Sequence, residues 1–164
     1  MEIQAVFFDI GVILTRPSFE EPIRLKKGVL SLLRQMKSQG LKIGLIANVS
    51  SRGRVYEEIL KRLKVLSYFD ILIWSSEVGF KKPQPMIFHQ AILSSNGVVA
   101  GNSVYVSEDF EKDILSANRA GLWGIWVNRN QESQENPFSR EIKKVSEIPK
   151  ILENGFFLKD RGEG

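Results

Sequence analysis

The sequence contains no cysteine, which excludes disulfides, thiolate metal centres and a cysteine nucleophile. Its single histidine, His89, falls in the middle of a helical pattern, so neither a histidine-based triad nor a histidine-rich metal site is on offer. Long apolar runs are also missing. The apolar start Ala5–Phe8 is too short for a signal peptide or a membrane span and ends in an acid, so the expected location is the cytoplasm, with no membrane partner. No basic stripe with interleaved aromatics occurs. The cations of Arg52–Lys64 are mixed with Glu57 and Glu58, and the net charge of +4 is that of an ordinary solvated surface, so nucleic acid is disfavoured as a partner. There is no internal repeat, low-complexity tract or long linker.

What is present is a globular composition, with 43% hydrophobic and 26% charged residues over 164 positions, enough for one domain with a sizeable core. Short runs rich in Val, Ile, Leu and aromatics occur at Ala5–Phe8, Lys42–Ala47, Ile71–Trp74, Ser103–Val106 and Gly124–Val127. Each has the length and composition of a strand buried on both faces. Between them, Val29–Ser38, Arg54–Leu66, Pro85–Leu93, Glu111–Ala120 and Ser146–Glu153 carry helical periodicity, with Pro85 suited to a first turn and Gly121 to a stop. The alternation predicts an α/β domain: a three-layer, Rossmann-like arrangement around a five-stranded parallel sheet. One domain is expected over residues 1–158, with a frayed tail at 159–164 and a polar surface loop over Asn130–Arg140 around Pro137.

In an open parallel sheet, ligands bind beyond the carboxyl ends of the strands. Following the strands are Asp9-Ile-Gly11, Asn48-Val-Ser50-Ser51, Lys81-Lys82-Pro83 and Ser107-Glu108-Asp109, with Asp113 one turn later. Together they offer a carboxylate, an amide with hydroxyls, a lysine and an acid cluster, a set able to hold a divalent cation and a phosphoryl group. Each has an ordinary counterpart. Asp9 also suits a helix cap, Ser50 or Ser51 an N-cap, Asp113 a first-turn acid, Lys81 and Lys82 a surface pair, and Arg52 and Arg54 a solvated face.

These segments, in this order, resemble the haloacid dehalogenase superfamily. Ala5–Leu14 is similar to its first motif, a strand ending in a nucleophilic Asp, and Leu45–Asn48 to its second. Glu77–Pro83 and Ser103–Gly121 are similar to the third and fourth. The resemblance covers residues 4–152. It implies Asp9 as nucleophile, Lys82 as its cationic partner, and Asn48, Ser50 and Lys82 as phosphate-binding residues. It also implies Mg²⁺ at Asp9, the Gly11 carbonyl, Glu108 and Asp113. The gaps Asp9–Ala47 and Ala47–Lys82, where the family inserts cap domains, are short, so a capless, open site is expected. Such a site suits a phosphorylated small molecule or macromolecule, or a homodimer in which a second copy forms the lid. Three departures stand out: Gly11 replaces the family's general acid, Ala47 its Ser or Thr, and Ser107-Glu108 its Gly-Asp. Two function classes follow. The first is a slow, Mg²⁺-dependent phosphohydrolase or phosphotransferase with an aspartyl-phosphate at Asp9; the second is a catalytically inactive binding or interaction domain. A phosphoacceptor receiver domain fits poorly, because receivers cluster acids near the chain start and place the acceptor on a later strand.

Overall fold

The apolar runs form strands for a simple reason: each is flanked by segments whose apolar stripe needs a sheet face to cover it. The computed structural model describes residues 2–130 and 132–156. In chain order it contains β1 (Ala5–Phe8), α1 (Ile10–Ile13), α2 (Val29–Ser38), β2 (Lys42–Ala47), α3 (Gly53–Arg62), β3 (Ile71–Trp74) and α4 (Ser75–Val78). These are followed by α5 (Met86–Leu93), β4 (Ser103–Ser107), α6 (Leu115–Arg119), β5 (Trp123–Val127), β6 (Ser139–Ile142) and α7 (Ile148–Asn154). The strands form one sheet in the order β3-β2-β1-β4-β5-β6, and every pairing is parallel. Phe8 lies beside both Leu45 and Val106.

Alternation along the strands splits the core into two layers. Val6, Phe8, Ile43, Leu45, Val104 and Val106 meet Leu32, Leu33 and Met36 of α2, Leu60 of α3 and Ile148 of α7. Ala5, Phe7, Ile46, Ile73 and Tyr105 meet Ile87, Phe88 and Ala91 of α5 and Ala117 of α6. The expected three-layer α/β arrangement is therefore present, but the sheet has six strands rather than five. The sixth, β6, begins inside the stretch expected to be a loop. Ser139 and Ile142 are buried, Arg140 is half-buried and Glu141 is exposed, so the strand is too short and polar to show an apolar run. Backbone bonds from Gly124 N to Phe138 O (2.9 Å) and from Asn128 N to Ile142 O (2.8 Å) secure it at the sheet edge.

Two further differences affect the site. The helix expected from Glu111 begins instead as a wide π turn at Phe110–Ile114 before α6, with Asp113 N and Ile114 N both donating to Asp109 O. This turn carries Asp113 into the interior. The start of α3 is Arg52, with no side-chain cap, so neither Ser50 nor Ser51 plays the capping role. The proposed tail at 159–164 lies outside the described residues. Among the described residues no helix is long and apolar enough to cross a membrane.

Contact at the start of α3 is close. A Cβ on Gly53 would stand 1.9 Å from Trp74 Cδ1, and the same indole stacks on Tyr56 at 5.6 Å between centroids and donates to Glu57 at 3.1 Å. Gly53→Ala is therefore expected to destabilise the protein by about 1–3 kcal/mol through overpacking. Gly101→Ala, with nothing within 4 Å of its Cβ, should stay within about 0.5 kcal/mol of wild type in the same urea titration.

Candidate active site

The strand order reverses between β1 and β4, which makes their carboxyl ends the topological switch point, the natural ligand site of such a sheet. Asp9 leaves β1 in extended conformation, with φ −70° and ψ 144°, and its amide still donates to Val106 O at 3.0 Å. Its two carboxylate oxygens take different roles. Oδ2 accepts from Gly11 N at 3.2 Å, capping α1, and Oδ1 accepts from Lys82 Nζ at 2.7 Å. The cap reading thus holds on Oδ2, while Oδ1 is engaged by the lysine.

Lys82 is the centre of the arrangement. Its side chain is 2% exposed, while Lys81 is exposed, so the two are not a surface pair. The ammonium donates to Asp9 Oδ1 (2.7 Å), Tyr105 Oη (2.8 Å) and Asp113 Oδ2 (2.8 Å), which accounts for all three of its protons. Asn48 holds the lysine from the other end. Its Oδ1 accepts from Lys82 N at 2.8 Å and its Nδ2 donates to Lys82 O at 2.9 Å. Asn48 thus clamps the lysine backbone through both ends of its amide while lining the same cavity.

Tyr105 went unnoticed in the sequence because a tyrosine in mid-strand reads as core. Burial raises its pKa well above the ordinary phenol value, and the charges of Asp9, Asp113 and Asp109 add to this. It therefore stays a neutral phenol, donating to Ile46 O at 2.8 Å while accepting from Lys82. Asp113 is 2% exposed and receives Lys82 and, at 2.6 Å, Ser107 Oγ. Burial raises its carboxyl pKa, against the lowering effect of Lys82. Its Oδ1 is buried with no hydrogen-bond partner. Ser107, one of the departures, thus gives Asp113 a hydroxyl that a glycine lacks.

Glu108 is one-third exposed. Its Oε1 is shared by Lys26 Nζ (3.1 Å) and Arg129 Nε (2.8 Å). Neither cation carried a sequence signal, since each stands in a loop without a motif and meets Glu108 only through the fold. Gly11 borders the cavity beside Asp9, and a Cβ added there would meet Asp9 Oδ2 at 3.0 Å. Ser50 is exposed and does not line the cavity of about 640 Å³ that Asp9, Gly11, Asn48, Lys82, Glu108 and Asp113 share. Of the residues expected from the sequence, Ser50 alone is left outside. Among the described residues no group of three carboxylate or imidazole side chains is placed to hold a metal ion.

The sheet order, the strand-end aspartate and the buried lysine together define a known class. Residues 14–127, more than half of the chain, match the haloacid dehalogenase-like hydrolase family, and the chain belongs to that family. It is 39% identical over 129 residues to a glyceraldehyde 3-phosphate phosphatase of Methanothermobacter thermautotrophicus, an alignment covering 74% of this chain and 56% of that protein. It is 34% identical over 127 residues to a pyrimidine 5′-nucleotidase of Escherichia coli, covering 76% and 55%. The chain spans about half the length of the curated relatives it matches. Its fold is shared with a haloacid dehalogenase-type phosphatase from Thermococcus onnurineus, with a TM-score of 0.77 at 22% identity, covering 92% of this chain and 98% of that one.

The buried lysine makes a stability prediction. Lys82→Met leaves Asp9 and Asp113 without their cation, and losing one partner of a buried pair costs about 3–5 kcal/mol at neutral pH. Without Lys82, only the Ser107 hydrogen bond still opposes burial on Asp113, whose folded pKa then lies further above its unfolded value. The folded form is thus favoured below the unfolded pKa and loses that advantage as pH rises through the folded one. The deficit should shrink as pH falls into the carboxylate range, and adding Asp113→Asn should recover much of it. Urea titrations of the single and double variants across pH measure both effects.

Proposed function

We propose that the chain carries the catalytic core of a Mg²⁺-dependent phosphohydrolase acting through an aspartyl-phosphate at Asp9. The observation that supports this most is the Asp9 Oδ1 to Lys82 Nζ contact of 2.7 Å at the sheet's switch point. A carboxylate oxygen and a fixed positive charge lie side by side at the mouth of a cavity, as in-line attack on a phosphoryl group requires. The relatives' named substrates, a triose phosphate and pyrimidine nucleotides, support a phosphomonoester. The segments between β1 and β2 and between β2 and Lys82 hold only the short elements described above, in keeping with an open, capless site. Its substrate would be a phosphorylated small molecule or macromolecule met in the cytoplasm, with a second copy of the chain as one candidate lid.

In the first step an Asp9 carboxylate oxygen bonds to phosphorus as the bond to the leaving oxygen breaks. Lys82 balances charge on Asp9 and on the transferring phosphoryl oxygens. Gly11 has no side chain to protonate the leaving oxygen, so that proton comes from water, and good leaving groups are favoured. In the second step water attacks phosphorus, releasing phosphate and restoring Asp9.

The donor set suits a hard cation: carboxylate oxygens of Asp9 and Glu108 and the Gly11 carbonyl, with waters completing the shell. Glu108 Oε2 accepts no hydrogen bond among the described residues, and Asp113, which lines the cavity, keeps a buried Oδ1 without a partner. Bound there, Mg²⁺ would offset negative charge on the phosphoryl oxygens.

Three measurements test this reading. Asp9→Asn should abolish release of p-nitrophenol from p-nitrophenyl phosphate. Mg²⁺ at a hundredfold excess over its dissociation constant should add about 2.7 kcal/mol of stability, a gain that Asp9→Asn removes and Glu108→Gln reduces. Gly11→Asp, after a shift of a few tenths of an ångström by the Asp9 carboxylate, restores a side-chain acid. It should raise hydrolysis of alkyl phosphates by up to about 10²–10⁴-fold and of p-nitrophenyl phosphate far less. If wild type and Gly11→Asp both fold, bind Mg²⁺ and release no phosphate, the domain is a binding module without turnover, a reading that the engagement of Glu108 by Lys26 and Arg129 favours.

A further inference from the structure

We infer that a second, basic groove beside the Asp9 cavity receives an anionic group on the leaving-group side of the substrate. The preferred ester then carries a second phosphate or a carboxylate. The word substrate here rests on the phosphohydrolase reading; the groove itself does not.

The groove, about 960 Å³ in volume, is lined by Arg24, Lys26, Lys27, Arg129 and Lys144, and by no carboxylate. The cations come from three stretches far apart in the chain: the approach to α2, the end of β5 and the approach to α7. Folding, rather than a local lysine run, brings them together. Lys26 lines both this groove and the Asp9 cavity, and with Arg129 it grips Glu108 at the border. The Asp9 cavity and the groove therefore adjoin at Lys26.

The charges in the groove do not cancel. Arg24 is paired with Glu21, and Lys26 and Arg129 share the single carboxylate of Glu108. Lys27 and Lys144 form no ion pair among the described residues. Nearby Glu147 directs Oε1 at the backbone amides of Lys143 and Lys144. The two charges left without counterions, Lys27 and Lys144, add to the positive excess of the groove, and a bound anion relieves that repulsion. The groove's size is that of a small-molecule site, with an apolar floor at Leu25 and Val145 and hydroxyls at Thr15 and Ser146. Those features fit the carbon skeleton and second anion of a compact metabolite better than a long polyanion, which would call for an extended stripe.

The test uses the full chain and three probes of one skeleton: butyl phosphate, butanediol bisphosphate and phosphobutyrate. Their affinities are measured by calorimetry on Asp9→Asn protein, so no turnover is needed, and as competition against p-nitrophenyl phosphate in wild type. The bisphosphate should bind about tenfold more tightly than butyl phosphate, and the preference should fall to about twofold in Lys27→Ala/Lys144→Ala. The double variant should keep wild-type activity on p-nitrophenyl phosphate, and added salt should erode the preference. Phosphobutyrate shows whether a carboxylate suffices as the second anion. Preferential binding of the bisphosphate by a protein that hydrolyses nothing would sink the catalytic reading and leave the groove standing. Hydrolysis with no preference, a preference untouched by the double variant, or binding confined to a long polyanion such as heparin would overturn the groove.

Discussion

A single ammonium group organises this molecule's functional edge. Lys82 is taken out of water and surrounded by the oxygens of Asp9, Tyr105 and Asp113, an arrangement that would be costly with any one of them missing. The three partners come from the end of β1, the middle of β4 and the π turn after β4, so the lysine adds a charged tie between segments far apart in the sequence. Asn48 at the end of β2 fixes its backbone. Residues of three strands, β1, β2 and β4, or of the turns that follow them, are thereby set in relation to one point charge. The Tyr105 phenol, kept neutral by burial, lets two carboxylates share that charge without a third anion beside them.

The departures from the family pattern have physical counterparts here. Gly11 leaves the space next to Asp9 Oδ2 without a side chain, which removes a proton donor while still presenting its amide to the carboxylate. Ser107 spends its hydroxyl on Asp113 and accepts from Asp109 N at 3.2 Å, stiffening the turn that brings Asp113 inward. Ala47 is wholly buried in the core layer beneath α2 and α3, with no hydroxyl to offer a phosphoryl oxygen. Glu108 reaches one methylene further than aspartate and meets Lys26 and Arg129. The outcome is a site whose charges are shared, one lysine between Asp9 and Asp113 and one glutamate between Lys26 and Arg129.

Much of this was legible beforehand, and the reasons it was are specific. β1 to β5 read as apolar runs because both of their faces are covered, and Asp9 and Lys82 stood out as charges where such runs end. β6 was not legible, because a four-residue edge strand with three polar residues looks like a loop. Asp113 was placed at the site, but its burial was not legible, since the π turn that rotates it inward leaves no mark in helical periodicity. Tyr105, Lys26 and Arg129 were invisible for the same reason as one another. Their roles depend on partners far away in sequence, and their types are common in strands and loops. Ser50 failed because a hydroxyl near a helix start looks identical whether it faces a cavity or solvent.

The central claim is that the Asp9 carboxylate, paired with Lys82, accepts a phosphoryl group. The most direct measurement is acid quenching of the protein during turnover of p-nitrophenyl phosphate, followed by mass spectrometry of its peptides. The account predicts one phosphoryl group on the peptide bearing Asp9, labile to hydroxylamine as an acyl phosphate is, and none in Asp9→Asn protein. Phosphate release with no protein-bound phosphoryl group in any quench, or a phosphoryl group carried by another residue, would contradict it.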